Sequence, residues 1–110
     1  MSDLSDPAEL TFHGSRVGQG VDVTVEHPDG TEDRLDPRTD VVNHSPTGFE
    51  WGYLGSGPLQ LALAVLAEAY DVETAKLKHG EFQQQWASQV DAGHWVLQSK
   101  EIPEIMDDGR

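Results

Sequence analysis

The stretch GFEWGYLGSGPLQLALAVL, residues 48–66, decides the fold of this chain. Three alternating aromatic residues and four closely spaced glycines lead into a long apolar run, and Glu50 is the only charged residue. Pro58 suits the first turn of a helix, because it has no N–H to leave unpaired and its φ is already near the helical value. The stretch therefore predicts a helix that runs to about Tyr70.

The predicted helix is apolar around most of its circumference. Ser56 or Gly57 can serve as its N-cap. Leucine and alanine recur at intervals of three and four, and Leu61 and Val65 widen this stripe, so other elements should enclose the helix almost completely. The one polar or small face, which we expect to lie outermost, consists of Gln60, Ala64 and Ala67.

Two segments before this stretch alternate apolar and polar residues, as a strand with one buried face does. They are residues 10–13 and residues 21–26, and we expect residues 14–20 to connect them. The sequence His-Pro-Asp-Gly at residues 27–30 predicts a hairpin turn. The return segment, residues 31–36, is rich in charge and predicts an exposed edge strand.

The remaining elements complete an α+β pattern. Residues 41–42 could begin another short strand. Asp71 can cap a second, amphipathic helix that stops by residues 92–93, residues 94–98 predict a strand, and residues 99–108 predict a short C-terminal helix. This order predicts a small, mainly antiparallel sheet packed against a buried central helix and the second helix.

The length of the chain fits one compact domain. We expect residues 1–9, which are polar and acidic, to form a flexible lead-in and residues 10–110 to form a single α+β domain. The sequence has no cysteine, which excludes disulfides and thiol chemistry. It begins without the pattern of a secretory signal, and its apolar run is far shorter than the ~20 residues needed to cross a bilayer, so we expect a cytoplasmic protein without a membrane partner.

Acidic residues dominate the composition. The 20 Asp and Glu residues against 7 Lys and Arg residues give a formal net charge of -13. Direct binding to nucleic acid or to an anionic membrane is disfavoured, because such binding depends on basic residues that neutralise phosphates. The even spread of acid is typical of cytoplasmic proteins from salt-accumulating microbes, and also fits an ordinary acidic domain. We favour the halophilic interpretation.

The run SPTGFEWGYLGSGPLQLALAVL, residues 45–66, resembles the signature of a small family of uncharacterised domains found in bacteria, archaea and phages. Weaker similarity extends over most of the chain, through residues 12–14, Phe82 and residues 95–97. The resemblance implies one integral domain and no assigned activity. Leu54 departs from the family's motif, which usually has glycine there, and this departure implies less backbone freedom and a poorer fit for a closely bound ligand at that turn.

The loop before the predicted helix is the candidate binding surface, because uncharged aromatic surface is the part of an anionic protein that is desolvated at least cost. The candidate residues are Asn43, His44, Glu50, Trp51, Tyr53, Leu54 and Ser56. We expect Phe49 in the core. Trp51 and Tyr53 fit either a core role or a recognition role, because their rings carry a polar group.

Catalytic and ligand-binding patterns are sparse. Glu50 could act as an acid or base, although such a residue more often accepts hydrogen bonds from loop amides. His44, Ser45 and Glu50 could form a hydrolytic trio. The five histidines include no pair at the i, i+4 spacing of zinc proteases, and the glycines before the helix lack the lysine of a phosphate loop, so we expect no metal and no cofactor.

Three functions remain open. The first is a non-enzymatic protein-interaction module that binds a protein partner, or a second copy of itself, through residues 43–56. The second is a small hydrolase or transferase with a pocket near His44, Glu50 and Tyr53. The third is an acidic nucleic-acid mimic that occupies a basic site on another protein. The sequence favours the first, because it contains no recognisable catalytic set.

Overall fold

The structure is a computed structural model that describes residues 4, 6–45 and 48–107. Its strands are β1 Thr11–Val17, β2 Gly20–Glu26, β3 Glu32–Arg34 and β4 His94–Gln98. Its helices are α1 Ser56–Ala69, α2 Val72–Phe82 and α3 Ile102–Asp107, with a π-helical turn at Gln83–Ala87 and a 3-10 turn at Ser99–Glu101. The predicted α+β class is confirmed, including the short C-terminal helix. Asp108, where that helix was predicted to end, lies outside the described residues.

The four strands form one antiparallel sheet in the order β3-β2-β1-β4. Phe12 of β1 lies opposite Val25 of β2 and Leu97 of β4, and all three side chains are buried. This buried face shares one hydrophobic core with α1. The charged strand β3 lies at the edge of the sheet, as predicted, where its acidic residues discourage pairing with another chain.

β1 is longer than the sequence predicts. The expectation that residues 14–20 connect two strands is wrong, because the strand continues through Gly14 to Val17 and only two residues form the turn. The ring of Trp95 on β4 lies against Gly14, and a Cβ atom at residue 14 would meet that ring at 2.2 Å. Glycine in mid-strand therefore makes room for a large aromatic side chain.

α1 is enclosed, as predicted. Its N-cap is Gly55 and not the predicted Ser56 or Gly57, whereas Pro58 lies in its first turn as predicted, and Tyr70 is its C-cap. Residues 60–67 are all buried, so the helix has no outer face along two full turns.

The prediction that Gln60 lies on an outer face is wrong. Its buried side chain makes four hydrogen bonds to the backbone of the preceding segment. Oε1 accepts from the N–H groups of His44 at 2.7 Å and Ser45 at 3.0 Å. Nε2 donates to the carbonyls of Pro37 at 2.6 Å and Val42 at 3.0 Å. One amide group therefore satisfies four backbone groups in a segment that has no ladder to satisfy them.

Turns occupy the place of the short strand predicted at residues 41–42, and that prediction is wrong. The N–H of Val41 donates to the carbonyl of Arg38 at 3.0 Å, which closes a turn. The carboxylate of Asp36 accepts from the N–H of Arg38 at 2.9 Å, and the Arg38 side chain reaches Asp40 at 3.2 Å. Local side-chain bonds to the backbone therefore compete successfully with strand pairing here.

α2 begins and ends with identifiable features. Asp71 caps it as predicted, because its Oδ1 accepts from the N–H of Thr74 at 2.7 Å. At its C-terminal end the helix widens into the π-helical turn, where Trp86 stacks on Phe82 with ring centroids 5.2 Å apart. Trp86 also meets Trp95 edge to face at 4.9 Å. The end of α2 is thereby packed against the sheet.

Candidate functional site

Residues 48–55, here called the aromatic loop, lead into α1 and are fixed to the segment that follows α2. The Nε1 atom of Trp51 donates to the carbonyl of Ala92 at 2.8 Å. The Nε2 atom of Gln83 donates to the carbonyl of Gly55 at 2.8 Å. The loop is therefore held at its middle and at its end by groups from a different part of the chain.

Trp51 belongs to the core, which corrects its place among the candidate surface residues. Its side chain is 1% exposed and meets Trp95 edge to face at 5.4 Å between ring centroids. The chain then bends at residues 52–54, which ends the alternation that would have placed Trp51 and Tyr53 on one side. Of the two roles open to Trp51, the structure shows the core role. Phe49 is partly buried and packs against the same core.

Tyr53 and Leu54 are the exposed apolar residues of the aromatic loop. Tyr53 is 51% exposed and Leu54 is 66% exposed. The ring of Tyr53 lies across Gly55, where an added Cβ atom would stand 2.4 Å from the ring. The absence of a side chain at residue 55 therefore sets the position of the tyrosine ring. We call Tyr53 and Leu54 together the apolar ridge.

Glu50 pairs with an arginine from β1, and among residues 4, 6–45 and 48–107 no loop amide donates a hydrogen bond to its side chain. The Nη1 atom of Arg16 lies 2.7 Å from its Oε1 atom. The guanidinium carbon of Arg16 also lies 4.7 Å from the centroid of the Trp51 ring, a cation–π contact. Arg16 thus connects the sheet to the side chains of Glu50 and Trp51 in the loop.

An open cleft of about 720 Å³ lies beside the apolar ridge. Its lining includes the start of β2 and residues 34–37. It also includes Glu50, Tyr53 and Ser56. The cleft therefore brings together three of the candidate residues, two of which carry hydroxyl groups.

His44 lies apart from this cleft lining and contacts α2 instead. Its Nε2 atom is 3.0 Å from the Nε2 atom of His79. Burial, and secondarily the nearby His79, lowers the pKa of His44 below its ordinary value. Asn43 is exposed beside it, and Ser45 is buried. Pro46 and Thr47, which belong to the predicted binding segment, lie outside the described residues.

The hydrolytic trio is not assembled in the described part of the chain. His44 is paired with His79, and Glu50 is paired with Arg16. A nucleophile and its base must share a hydrogen bond, and no hydrogen bond among residues 4, 6–45 and 48–107 joins His44, Ser45 and Glu50. Over the same ranges, no three His, Cys, Asp or Glu residues converge on a metal position.

Sequence reasoning missed Arg16 and His79 as neighbours of the candidate residues. Arg16 lies in the segment predicted to be a connection, and it follows Phe12 and Gly14 at the even spacing of the inward face of β1. Continuing the strand alternation past Gly14 would have placed it at the sheet end nearest the loop. His79 carries no such signal, because 35 residues separate it from His44.

Comparisons with known proteins place the chain in a family but give it no activity. Within the described ranges, the helices are too short or too polar to cross a membrane. No curated protein and no solved structure matches the chain. The model of a family of unknown function, DUF6166, matches residues 12–108, and the chain therefore belongs to this family.

Proposed function

We propose that the protein is a non-enzymatic interaction module that docks a protein partner on the apolar ridge and the adjoining cleft. The observation that carries the proposal is the exposure of two adjacent large apolar side chains, Tyr53 and Leu54, on a loop held by hydrogen bonds at Trp51 and Gly55. Tyrosine is one of the side chains that most often dominate the binding energy of protein interfaces, and neighbouring contacts help to exclude water around it.

The fixed backbone of the aromatic loop supports this role. A loop that is already held in place loses little conformational freedom on binding, so more of the contact energy appears as affinity. Gly55 adds to this order, because the Tyr53 ring lies against it. The apolar ridge is therefore presented in one arrangement to a partner.

The charge of the chain defines the partner's chemistry. With 20 acidic residues and 7 basic residues, the protein favours a partner whose apolar contact patch is bordered by lysine or arginine. In our proposal the protein works in the cytoplasm of a salt-accumulating microbe, where charges are screened within about 3 Å at molar salt. Apolar contacts then supply the affinity, and charge acts only between groups in direct contact, where the acidic surface disfavours partners with an acidic border.

The experiment places a photo-crosslinking amino acid at residue 53, and separately at Leu77 as a control, in lysate of the native host at its own salt concentration. Leu77 is an exposed leucine on α2, 74% exposed and outside the cleft lining. The same protein should be captured from residue 53 and not from residue 77. The captured protein is then purified so that its affinity can be measured.

Leu54→Asp and Tyr53→Ala should each weaken that affinity by roughly tenfold or more, whereas Leu77→Asp should leave it unchanged. Gly55→Ala should also weaken it, because the substitution displaces the Tyr53 ring without removing a contact group.

Equal affinity for the wild type and Leu54→Asp would refute the docking surface. Affinity that rises in Leu54→Asp for a nucleic-acid-binding partner would instead support a nucleic-acid mimic. A wild-type dimer that Leu54→Asp dissociates would identify a second copy as the partner.

A second candidate, a small hydrolase or transferase, is favoured by one observation: Glu50, Tyr53 and Ser56 line the same cleft. Its test is turnover of chromogenic carboxylic and phosphoric esters by the wild type and by Glu50→Gln, which keeps an oxygen to face Arg16. Turnover that disappears in Glu50→Gln while folding is retained would establish an active site. Equal turnover in both proteins would dismiss this site.

A further inference from the structure

The structure brings together two histidines from different elements. His44 lies near the end of the segment 36–45. Its backbone N–H donates a hydrogen bond to the side chain of Gln60 at 2.7 Å. His79 lies on α2, and its Nδ1 atom is 2.7 Å from the carbonyl oxygen of Ala75. The two Nε2 atoms are 3.0 Å apart, with ring centroids 5.1 Å apart. Both residues are partly exposed, so the pair is accessible from solvent.

The hydrogen bonds determine which ring nitrogens carry protons. A carbonyl oxygen only accepts, so Nδ1 of His79 carries a proton and donates to Ala75. In neutral His79 the lone pair is then on Nε2, which makes Nε2 of His44 the donor in the contact between the rings. One proton therefore lies between the two rings.

We propose that His44 and His79 bind one transition-metal ion of the Zn²⁺, Ni²⁺ or Cu²⁺ class through their Nε2 atoms. Two imidazole nitrogens bound at about 2.0–2.1 Å to one ion are about 2.8–3.4 Å apart when the angle at the metal is about 90–109°. The observed separation of 3.0 Å lies within this interval. The ion displaces the proton and lies to one side of the line that joins the two nitrogens, so both rings turn slightly toward it.

The surroundings of the two rings support this role. Metal-binding histidines commonly donate their second ring N–H to a backbone carbonyl, which fixes the tautomer and the ring orientation. His79 makes this bond to Ala75, within its own helix. The buried amide of Gln60 fixes the backbone of His44. The ring of His79 and the backbone of His44 are therefore held in place before an ion arrives.

Neutral rings are required, because a protonated imidazole has no lone pair for a metal. Binding moves the His44 proton from Nε2 to Nδ1, so each ring remains a neutral imidazole with one N–H. The charge of the site then changes only by the charge of the ion.

The donor set selects the kind of ion. Imidazole suits Zn²⁺, Ni²⁺ and Cu²⁺, whereas Mg²⁺ and Ca²⁺ prefer oxygen ligands. Over residues 4, 6–45 and 48–107, no cluster of three ligating side chains is present, so water completes the coordination. Among these ions Cu²⁺ should bind most tightly, in line with the usual order of divalent affinities.

The test uses purified wild-type protein titrated with Zn²⁺ in excess Mg²⁺, which occupies weak carboxylate sites. Nitrogen-detected NMR of the histidine rings should show His44 protonated at Nε2 before addition and at Nδ1 afterwards, with both His44 and His79 resonances shifted. Shifts confined to His13, His27 or His94 would overturn the proposal. This measurement needs no variant and is independent of any partner.

Calorimetry with Zn²⁺ and with Cu²⁺ then compares variants. His44→Gln and His79→Gln should each weaken binding by about tenfold or more, and the loss in the double variant should be smaller than the two single losses added in free energy, because both rings hold one ion. His94→Gln is the matched control, because His94 is exposed and bonded to Ser15 on the sheet. Unchanged affinity in His44→Gln and His79→Gln, with circular dichroism showing both folded, would also overturn the proposal.

Discussion

The Oε1 atom of buried Gln60 accepts a hydrogen bond from the backbone N–H of His44 at 2.7 Å, so α1 holds in place the segment that carries this histidine. The same amide group bonds three further backbone groups between residues 37 and 45. A single polar side chain in an apolar helix therefore fastens the turns that precede the aromatic loop.

Gln60→Ala should lower the free energy of unfolding by about 2–5 kcal/mol, because it leaves two N–H groups and two carbonyls without partners. Urea unfolding measures the change. Gln84→Ala is the control, since Gln84 is exposed on the π-helical turn and should change stability by less than about 0.5 kcal/mol. A loss at Gln60 as small as that at Gln84 would contradict the proposed role of its amide.

Leu63→Ala should cost about 2–5 kcal/mol, because Leu63 is fully buried on α1 and truncation leaves a cavity. Leu77→Ala on α2 is the matched change at an exposed leucine and should cost less than about 0.5 kcal/mol. Thermal and chemical unfolding of the two variants side by side measure the difference. Equal losses would mean that α1 is not the centre of the core.

Asp71→Asn should remove part of the acid sensitivity of the protein. The backbone N–H and the side chain of Thr74 hold the pKa of Asp71 below its ordinary value. A lowered carboxyl pKa gives stability that is present above the unfolded value, about 3.9, and is lost as the pH falls through the folded value. Asparagine also caps a helix but does not titrate here.

Urea unfolding from pH 6 downward measures the stability of the wild type relative to Asp71→Asn. Below about pH 4 the wild type should lose stability relative to the variant. Asp40→Asn is a poor control, because that carboxyl also has a lowered pKa. Glu104→Gln on α3 is the matched control, because it changes one exposed acid away from the helix cap. A constant difference in stability for Asp71→Asn across this range would contradict the cap assignment.

Salt should raise the melting temperature at neutral pH, since a formal net charge of -13 repels itself in the folded state. Raising KCl from about 0.1 M to about 1 M shortens the screening length from about 10 Å to about 3 Å. Near the sequence pI of about 4.4 the same change should have a much smaller effect. Calorimetric scans measure the melting temperature at both pH values. A rise in melting temperature that is equally large at both would indicate a general salt effect and not charge screening.

The spacing of apolar residues is enough to predict these elements: alternation predicts β2 and β4, and recurrence at intervals of three and four predicts the buried helix α1. The same signal does not predict the full length of β1. A glycine after the alternating residues indicates a loop, whereas Gly14 lies within the strand and makes room for Trp95. The signal also fails for Gln60, because a polar residue on an apolar helix looks like a solvent-facing position until its backbone partners are known. Both failures concern contacts between elements, which periodicity does not contain.

The sequence predicts only part of the candidate site, because the rest depends on contacts between elements. Composition identified the aromatic loop, and the structure leaves Tyr53 and Leu54 exposed on it. It could not separate Trp51 from Tyr53, because a bend inside the loop decides which ring is buried. The pairing of His44 with His79 depends on how the segment before the loop packs on α2, a contact 35 residues apart in sequence.

The position of β1 between β2 and β4 has a consequence for synthesis. Translation produces the N-terminal hairpin first, whereas the partner on the other side of β1 arrives much later: Leu10 and Ser99, which bond beside that pairing, are 89 residues apart. Until β4 emerges, one row of β1 backbone groups is open to pairing with other nascent chains. β1, β2 and β3 can pair earlier, but the sheet is completed only when β4 has been made.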